Sequence, residues 1–353
     1  MNHEYFMQIA INEAKKGIGK VNPNPLVGAV IVKKGKIISK GYHEYYGGRH
    51  AEIVAIEKAK RKNINIKGAT MYVTLEPCSH YGKTPPCAYR LIREGFKKVI
   101  IGMLDPNPLV NGNGKKILKD AGIKVEYGIL EEKIKELNEI FITYITKKRP
   151  YIALKFAMTL DGYIATNTFD SKWISNEKSR NLTHKLRKYY SSILIGANTL
   201  IIDNPKLTCR IKNGRNPIRI ILDKDGIFEN KNLNIFNEEG KNIIFTGRDI
   251  KNIPQNTEII KETNINNIMN ILYKKGIDSI LVEGGSSVLS LFLKSKIADK
   301  LHIFYSPKII GNGISPFKNI TIDSIDKSIK LKTIKMKKIE DNIYWELKQC
   351  LQE

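Results

Sequence analysis

The sequence predicts an α/β protein built as two consecutive domains. Three observations carry this. Short apolar runs of strand length alternate with amphipathic helical stretches through both halves, and 353 residues exceed what one compact core ordinarily organises. The alternation is also interrupted at Lys147-Lys148-Arg149-Pro150, a basic segment ending in a proline that stops a helix. The domains are therefore expected at 1–146 and 147–353.

In the first half, residues 4–16 place Phe6, Ile9, Ala10 and Ala14 on one helical face, and Gly17 ends the run. Val21-Asn-Pro23-Asn24-Pro25-Leu26 follows, in which two prolines exclude regular structure and hold Asn24 between them, as in a binding loop or a plain turn. Segments 29–32 and 37–39, joined through Lys33-Lys34-Gly35-Lys36, read as a hairpin. Helices over 51–62 and 87–94 and strands over 70–75, 98–104 and 123–127 complete a layered domain. Between the last two strands, Asp105-Pro-Asn107-Pro-Leu-Val-Asn-Gly-Asn-Gly114 is either a connection or a cover for a sugar or phosphate through Asp105 and Asn107. A helix over 131–144 leads to the boundary.

The second half opens with Tyr151-Ile-Ala-Leu-Lys155-Phe-Ala157-Met-Thr159-Leu-Asp161-Gly162, an apolar strand entering an Asp-Gly turn. Lys155 inside that strand requires a carboxylate or a ligand, because an uncompensated buried ammonium is costly. Further strands are expected at 192–196, 218–222, 242–246, 280–283, 301–305 and 343–347, with helices over 177–190 and 286–294. Leu281-Val-Glu283-Gly284-Gly285-Ser286-Ser287 takes a strand through two glycines into a helix, a junction that presents backbone N–H groups to a phosphate and that also occurs as an ordinary turn. The segment from Asn198 to Arg210 adds Asp203 and Arg210 to a loop after a strand.

Composition removes several function classes. The sequence has no run of eighteen apolar residues, and its first residues lack a basic stretch followed by an apolar one, so neither a membrane span nor a secretory signal is expected. Two of the four cysteines read as metal ligands and the others, Cys209 and Cys350, lie far apart, which fits a reducing, cytoplasmic setting. The net charge of +24 comes from lysines scattered along the chain without interleaved aromatics. That is the pattern of a solvated face, not of a nucleic-acid groove, although the field favours a phosphorylated small substrate. Self-association is left open.

The chemistry is concentrated between Gly41 and Cys87. His50-Ala51-Glu52 precedes Thr74-Leu-Glu76-Pro77-Cys78-Ser-His80-Tyr-Gly-Lys83-Thr-Pro-Pro-Cys87. One imidazole, His50, and two thiolates, Cys78 and Cys87, form the donor set that suits zinc, and three protein ligands leave the fourth tetrahedral position open for catalysis. Glu52, two residues after His50, is placed for proton transfer, as in the H-x-E motif of zinc deaminases. The second half of that signature departs from P-C-x-x-C, since eight residues separate the cysteines. A closed structural site would need a fourth protein ligand, for which His80 is the nearby candidate. Both ligand segments start helices, which favours thiolate at Cys87.

Together these segments resemble a known family, the bifunctional riboflavin-biosynthesis deaminase/reductases. The resemblance rests on Pro23-Asn-Pro-Leu-Val-Gly28, His50-Ala-Glu52, Thr74-Leu-Glu-Pro-Cys-Ser-His80, Thr84-Pro-Pro-Cys87, Asp105-Pro-Asn-Pro108, Leu160-Asp-Gly162, Trp173-Ile-Ser175, Asp203-Asn-Pro205 and Glu283-Gly-Gly285, in order along nearly the whole chain. It implies a cytidine-deaminase-like three-layer α/β/α domain followed by a dihydrofolate-reductase-like α/β domain. The first would use zinc on His50, Cys78 and Cys87, with Glu52 as proton shuttle, to deaminate a phosphoribosylamino diaminopyrimidinone. Asn24, His43, His80 and Lys83 would meet the base, and Asp105 and Asn107 the ribose phosphate. The second would reduce the ribose with NADPH, held by Ala157, Trp173, Thr199, Asp203 and the turn and helix Gly285, Ser286, Ser287, Val288, Leu289, Ser290 and Leu291. Lys155, Ser171, Arg187, Leu207, Arg210 and Glu283 would hold its substrate.

Overall fold

Met1–Lys148 and Arg149–Glu353 form separate units in the computed structural model, which describes residues 2–79, 86–108, 110–212 and 214–349. The first unit runs α1 (His3–Ala14), β1 (Gly28–Lys33), β2 (Lys36–Tyr42), α2 (Ala51–Arg61), β3 (Thr70–Leu75), α3 (Cys87–Arg93), β4 (Lys98–Met103), α4 (Asn113–Asp120), β5 (Lys124–Tyr127), α5 (Glu131–Leu137) and α6 (Glu139–Lys147). Its sheet has the order β2-β1-β3-β4-β5, antiparallel across β1 and parallel from β3 to β5.

Strand alternation builds a layer on each face. Ala29 and Ile31 of β1 point into a cluster with Ala51, Ala55, Ile56 and Ala59 of α2 and Ala88 and Leu91 of α3. The intervening Val30 and Val32 join Phe6, Met7, Ala10 and Ile11 of α1 on the opposite side. The expected helix over 131–144 is instead two helices, α5 and α6, separated at Asn138 (φ −108°, ψ 19°). Asn138 directs its side chain away from the helix, to the backbone of Leu26, as described below.

The second unit contains β6 (Tyr151–Thr159), β7 (Ala165–Thr166), α7 (Glu177–Tyr189), β8 (Ser192–Gly196), α8 (Ala197–Asp203), β9 (Ile218–Leu222), α9 (Asn234–Asn237), β10 (Asn242–Thr246), β11 (Thr257–Lys261), α10 (Ile265–Lys274), β12 (Ser279–Val282), α11 (Ser286–Lys294), β13 (Lys300–Ser306), β14 (Gly313–Ile314), β15 (Leu331–Ile339) and β16 (Asn342–Gln349). Its main sheet has the order β11-β10-β9-β8-β12-β6-β13-β16-β15. Pairings from β11 through β13 are parallel, and β16 and β15 close the edge antiparallel. Both faces are covered: Leu194, Ile220 and Phe245 enter one core, while Ile193, Ile221 and Ile244 enter the other. In such sheets ligands sit beyond the carboxyl ends of the strands, which is where β8 runs into α8 and β12 into α11.

Candidate active sites

In the first unit His50 is the N-cap of α2 and Cys87 the first residue of α3, while Cys78 lies in the segment after β3. The approach of α2 to the sheet depends on Gly41 in β2. A Cβ there would lie 2.4 Å from the Ala51 carbonyl oxygen and 2.5 Å from the Ala55 nitrogen, so a side chain would push the helix start outward. The His50 Nδ1 is 3.2 Å from Cys87 Sγ and 3.5 Å from Cys78 Sγ, and all three donor atoms lie within 4.8 Å of one another. Tetrahedral zinc, with Zn–S of about 2.3 Å and Zn–N of about 2.0 Å, requires N–S edges of roughly 3.5 Å, so these residues fit the ion as they stand. Among the described residues this His/Cys/Cys group is the one cluster of its kind.

Electrostatics at the cluster agree with that donor chemistry. Hydrogen bonds with Cys87 and then His50 draw the Cys78 thiol down to about 4 against the effect of burial. The bond to Cys78 raises His50 to about 9, whereas Cys87 is pushed up by its bond to Cys78 and by burial. The three donors thus share protons through hydrogen bonds, and a metal that takes all three displaces them. Glu52, 3 % exposed, lies beside Cys87 in the first turn of α2, and burial raises its carboxyl although His50 opposes this. A carboxyl with a raised pKa can both take and return a proton.

The surrounding loops are pinned by residues that the motifs did not single out. His43, buried, donates from Nδ1 to the Arg49 carbonyl oxygen (3.0 Å), which leaves Nε2 to accept from the Asn24 Nδ2 (3.1 Å). Burial lowers the His43 pKa, so the ring is neutral and orients Asn24. The Asn24 loop is held from below by buried Asn138, whose Oδ1 accepts from Leu26 N (2.8 Å) and whose Nδ2 donates to Leu26 O (3.1 Å). Buried Glu76 accepts from the backbone N–H groups of Asp105, Gly112 and Lys115. Asp105 in turn accepts from Asn107 N at 2.9 Å. His80 and Lys83, expected at the base, lie outside the described residues.

In the second unit, the partner that Lys155 requires is Glu283, with Nζ 3.6 Å from Oε2. The stronger clamp on Glu283 comes from α7: Arg187 donates from Nε to Oε1 (2.8 Å) and from Nη2 to Oε2 (3.0 Å), and its Nη1 donates to Thr208 O (3.0 Å). Burial would raise the Glu283 carboxyl, but Arg187 and Lys155 overcome it and hold the group at about 2. Burial lowers Lys155 in spite of Glu283. Two cations therefore share one carboxylate, which follows the end of β12 and faces Lys155 in the middle of β6.

Next to this cluster is a cradle. A Cβ on Gly284 would fall 2.7 Å from Val288 Cβ, and one on Gly196 would fall 2.7 Å from Val288 Cγ2, so both turns accept only glycine at these close approaches. The Ser286 hydroxyl, at the start of α11, is buried without a hydrogen-bond partner among the described residues. The backbone N–H groups of Ser286 and Ser287 precede the first bond of the helix, from Val288 N to Gly285 O. An orphaned buried hydroxyl among first-turn amides fits a cofactor's phosphate. Thr199 faces this turn, with Oγ1 3.4 Å from where a Gly285 Cβ would sit. Val288 and Leu289 turn their side chains into the core, Ser290 Oγ accepts from Lys318 N (2.9 Å), and Leu291 is partly exposed. Leu207, at φ 51°, also packs its side chain into the core, so its main chain is what remains for a ligand. Trp173 is 61 % exposed and lies under the Arg180 guanidinium at 4.5 Å. Asp203 ends α8, 4.0 Å from Lys172 Nζ, with its carboxyl raised by burial. Ala157 and Ser171 are half-buried, and exposed Arg210 donates from its main-chain N to His184 Nδ1 at 3.4 Å.

A zinc-type donor set opened by a buried carboxylate, followed by a domain with a phosphate cradle beside buried cations, defines a deaminase joined to a reductase. Residues 1–103 match the cytidine and deoxycytidylate deaminase zinc-binding region, and residues 150–344 the RibD C-terminal domain. The chain belongs to the RibD family of riboflavin-biosynthesis proteins and carries both a deaminase and a reductase domain. The RibD protein of Aquifex aeolicus is 43% identical over 345 residues, covering 96% of each chain, and that of Bacillus amyloliquefaciens is 44% identical over 325 residues, covering 89% of this chain and 86% of the relative. A crystal structure from Thermotoga maritima, described as a diaminohydroxyphosphoribosylaminopyrimidine deaminase/5-amino-6-(5-phosphoribosylamino)uracil reductase, superposes with a TM-score of 0.94 at 48% identity over 99% of both chains. RibD of Acinetobacter baumannii gives 0.89 at 32% identity, again over 99% of both.

Proposed function

We propose that the first unit hydrolytically deaminates 2,5-diamino-6-(5-phosphoribosylamino)pyrimidin-4(3H)-one and that the second reduces the ribosyl side chain of the product to ribityl with NADPH. The observation that carries this reading is the approach of His50, Cys78 and Cys87 to one another beside buried Glu52. Zinc bound by these three residues supplies Lewis acidity that makes water nucleophilic near neutral pH. Glu52 would take a proton from the attacking water and return it to the departing amine nitrogen, so that water and substrate give a carbonyl and ammonia. Asn24, oriented by His43, meets the base together with His80 and Lys83, and Asp105 and Asn107 meet the ribose phosphate.

NADPH bound in the second unit would supply the hydride that reduces C1 of the ribose. The first-turn amides of α11, from Ser286 and Ser287, and the Ser286 hydroxyl bind its phosphates, with Ala157, Trp173, Thr199, Asp203 and the backbone from Gly285 to Leu291 completing the site. Lys155 and Arg187, fixed by Glu283, form a cationic wall for the substrate oxygens, with Ser171, the Leu207 main chain and Arg210 around it. A cytoplasmic location suits the thiol chemistry of the metal site. The test is direct: zinc-loaded protein given the diaminopyrimidinone phosphate and NADPH releases ammonia and forms the ribityl product. Absence of both products rejects the reading.

A further inference from the structure

The segment between β4 and α4 holds Asp105 and Asn107 at the proposed phosphate end of the deaminase substrate, and its middle closes on itself through Val110 N and Asn111 N, which both donate to Asn107 O at 2.9 Å. Its two ends are tied by a side chain from another strand's end. The Glu76 carboxylate, buried between β3 and Cys78, accepts from Asp105 N at 3.2 Å and Gly112 N at 3.0 Å through Oε2, and from Lys115 N at 2.9 Å through Oε1. Asp105 opens the segment, Gly112 is the N-cap of α4 and Lys115 lies in its first turn, so one side chain ties both ends of the segment and caps a helix. Asp105 then fixes Asn107 N at 2.9 Å. The Glu76 backbone is anchored independently, its N–H donating to Met103 O at 3.0 Å, so the carboxylate projects from the sheet itself.

We infer that Glu76 is a positioning residue for the deaminase: it sets Asp105 and Asn107 to receive the phosphoribosyl group, and so governs substrate affinity rather than the chemistry at the ring. This rests on the assignment of Asp105 and Asn107 to the ribose phosphate. A buried carboxylate accepting three main-chain N–H groups has no neutral replacement, because an amide in its place turns at least one donor toward a donor.

The experiment measures deaminase kinetics of Glu76→Gln, Asn107→Ala and the double variant, with the phosphorylated substrate and its dephosphorylated counterpart, alongside zinc content and NADPH oxidation by the second unit. For Glu76→Gln the KM for the phosphorylated substrate is expected to rise at least tenfold, with kcat within about twofold, one zinc retained and NADPH oxidation unchanged. The dephosphorylated substrate should be turned over as by the unaltered protein, and the double variant should be no worse than the poorer single one. Lost zinc, or a fall in kcat at constant KM, overturns the inference by showing that Glu76 acts through the Cys78 segment, and additive losses in the double variant overturn it too. If Asn107→Ala raises KM and Glu76→Gln does not, the inference falls while the substrate assignment stands. If neither variant changes the preference for phosphate, the assignment itself falls. Amide hydrogen exchange on the unaltered chain is a check that needs no variant: Asp105, Gly112 and Lys115 should be protected to the level of β4, and exchange at open-loop rates would contradict the clamp.

Discussion

Replacing Glu283 by Gln tests the buried cluster of the reductase unit most sharply. The carboxylate is 10 % exposed and is the shared partner of Arg187, at 2.8 and 3.0 Å, and Lys155, at 3.6 Å. Moving a carboxyl from its ordinary 4.5 to about 2 corresponds to about 3 kcal/mol in favour of the folded state. Breaking a buried ion pair from one side costs a similar amount, about 3–5 kcal/mol, because the remaining charges keep their desolvation penalty. The folded pKa lies below the unfolded one, so this stabilisation is fully present above pH 4.5 and is lost as pH falls toward 2. Calorimetry of the full chain at pH 7 should therefore show the reductase transition of Glu283→Gln falling well below that of the unaltered protein, with the gap closing between pH 4.5 and 2. Adding Lys155→Met should recover part of the loss by removing one stranded cation. Equal transitions at pH 7, or a gap that persists unchanged at pH 2, would refute the assignment of the stability to this cluster.

Other outcomes follow from individual contacts. Asn138→Ala strands the buried N–H and C=O of Leu26, at about 1–3 kcal/mol each, and should lower the melting transition of the first unit while NADPH oxidation by the second is unchanged. Gly41→Ala forces a Cβ against the Ala51 carbonyl and should displace the start of α2, seen as zinc loss on dialysis and at least a tenfold drop in ammonia release. Ser286→Ala removes the unpartnered hydroxyl at the start of α11 and should weaken NADPH binding roughly tenfold, the scale of one hydrogen bond to a charged group, by fluorescence titration.

Much of the deaminase site was legible because its chemistry is carried by rare residue types at short spacing. His50, Cys78 and Cys87 stand out among six histidines and four cysteines, and helix starts at 51 and 87 follow from the apolar periodicity after each. Strands β8, β9 and β10 were legible for a different reason, since strands covered on both faces read as short apolar runs. The long edge strand β15 carries Lys332, Lys335, Lys337 and Lys338 and is exposed along almost its full length, so it shows neither an apolar run nor an alternation. Edge strand β11 is only half-buried along Thr257 to Ile260, and helix α10, although amphipathic, is obscured in the sequence by the asparagines at 264, 266 and 267 around its start. Glu76 and Asn138 were beyond reach because their roles lie in partners far along the chain, at separations of 29 to 39 and 112 residues. Glu76 is part of the Thr-Leu-Glu-Pro-Cys segment, but no spacing rule says that its carboxylate turns toward Asp105.

The most direct measurement is ammonia release by zinc-loaded Glu52→Gln, with NADPH oxidation on the deaminated substrate followed in the same preparation. One zinc per chain is expected, with ammonia release reduced at least a hundredfold and NADPH oxidation unchanged. Ammonia released at the rate of the unaltered protein would contradict it, and so would loss of both activities together.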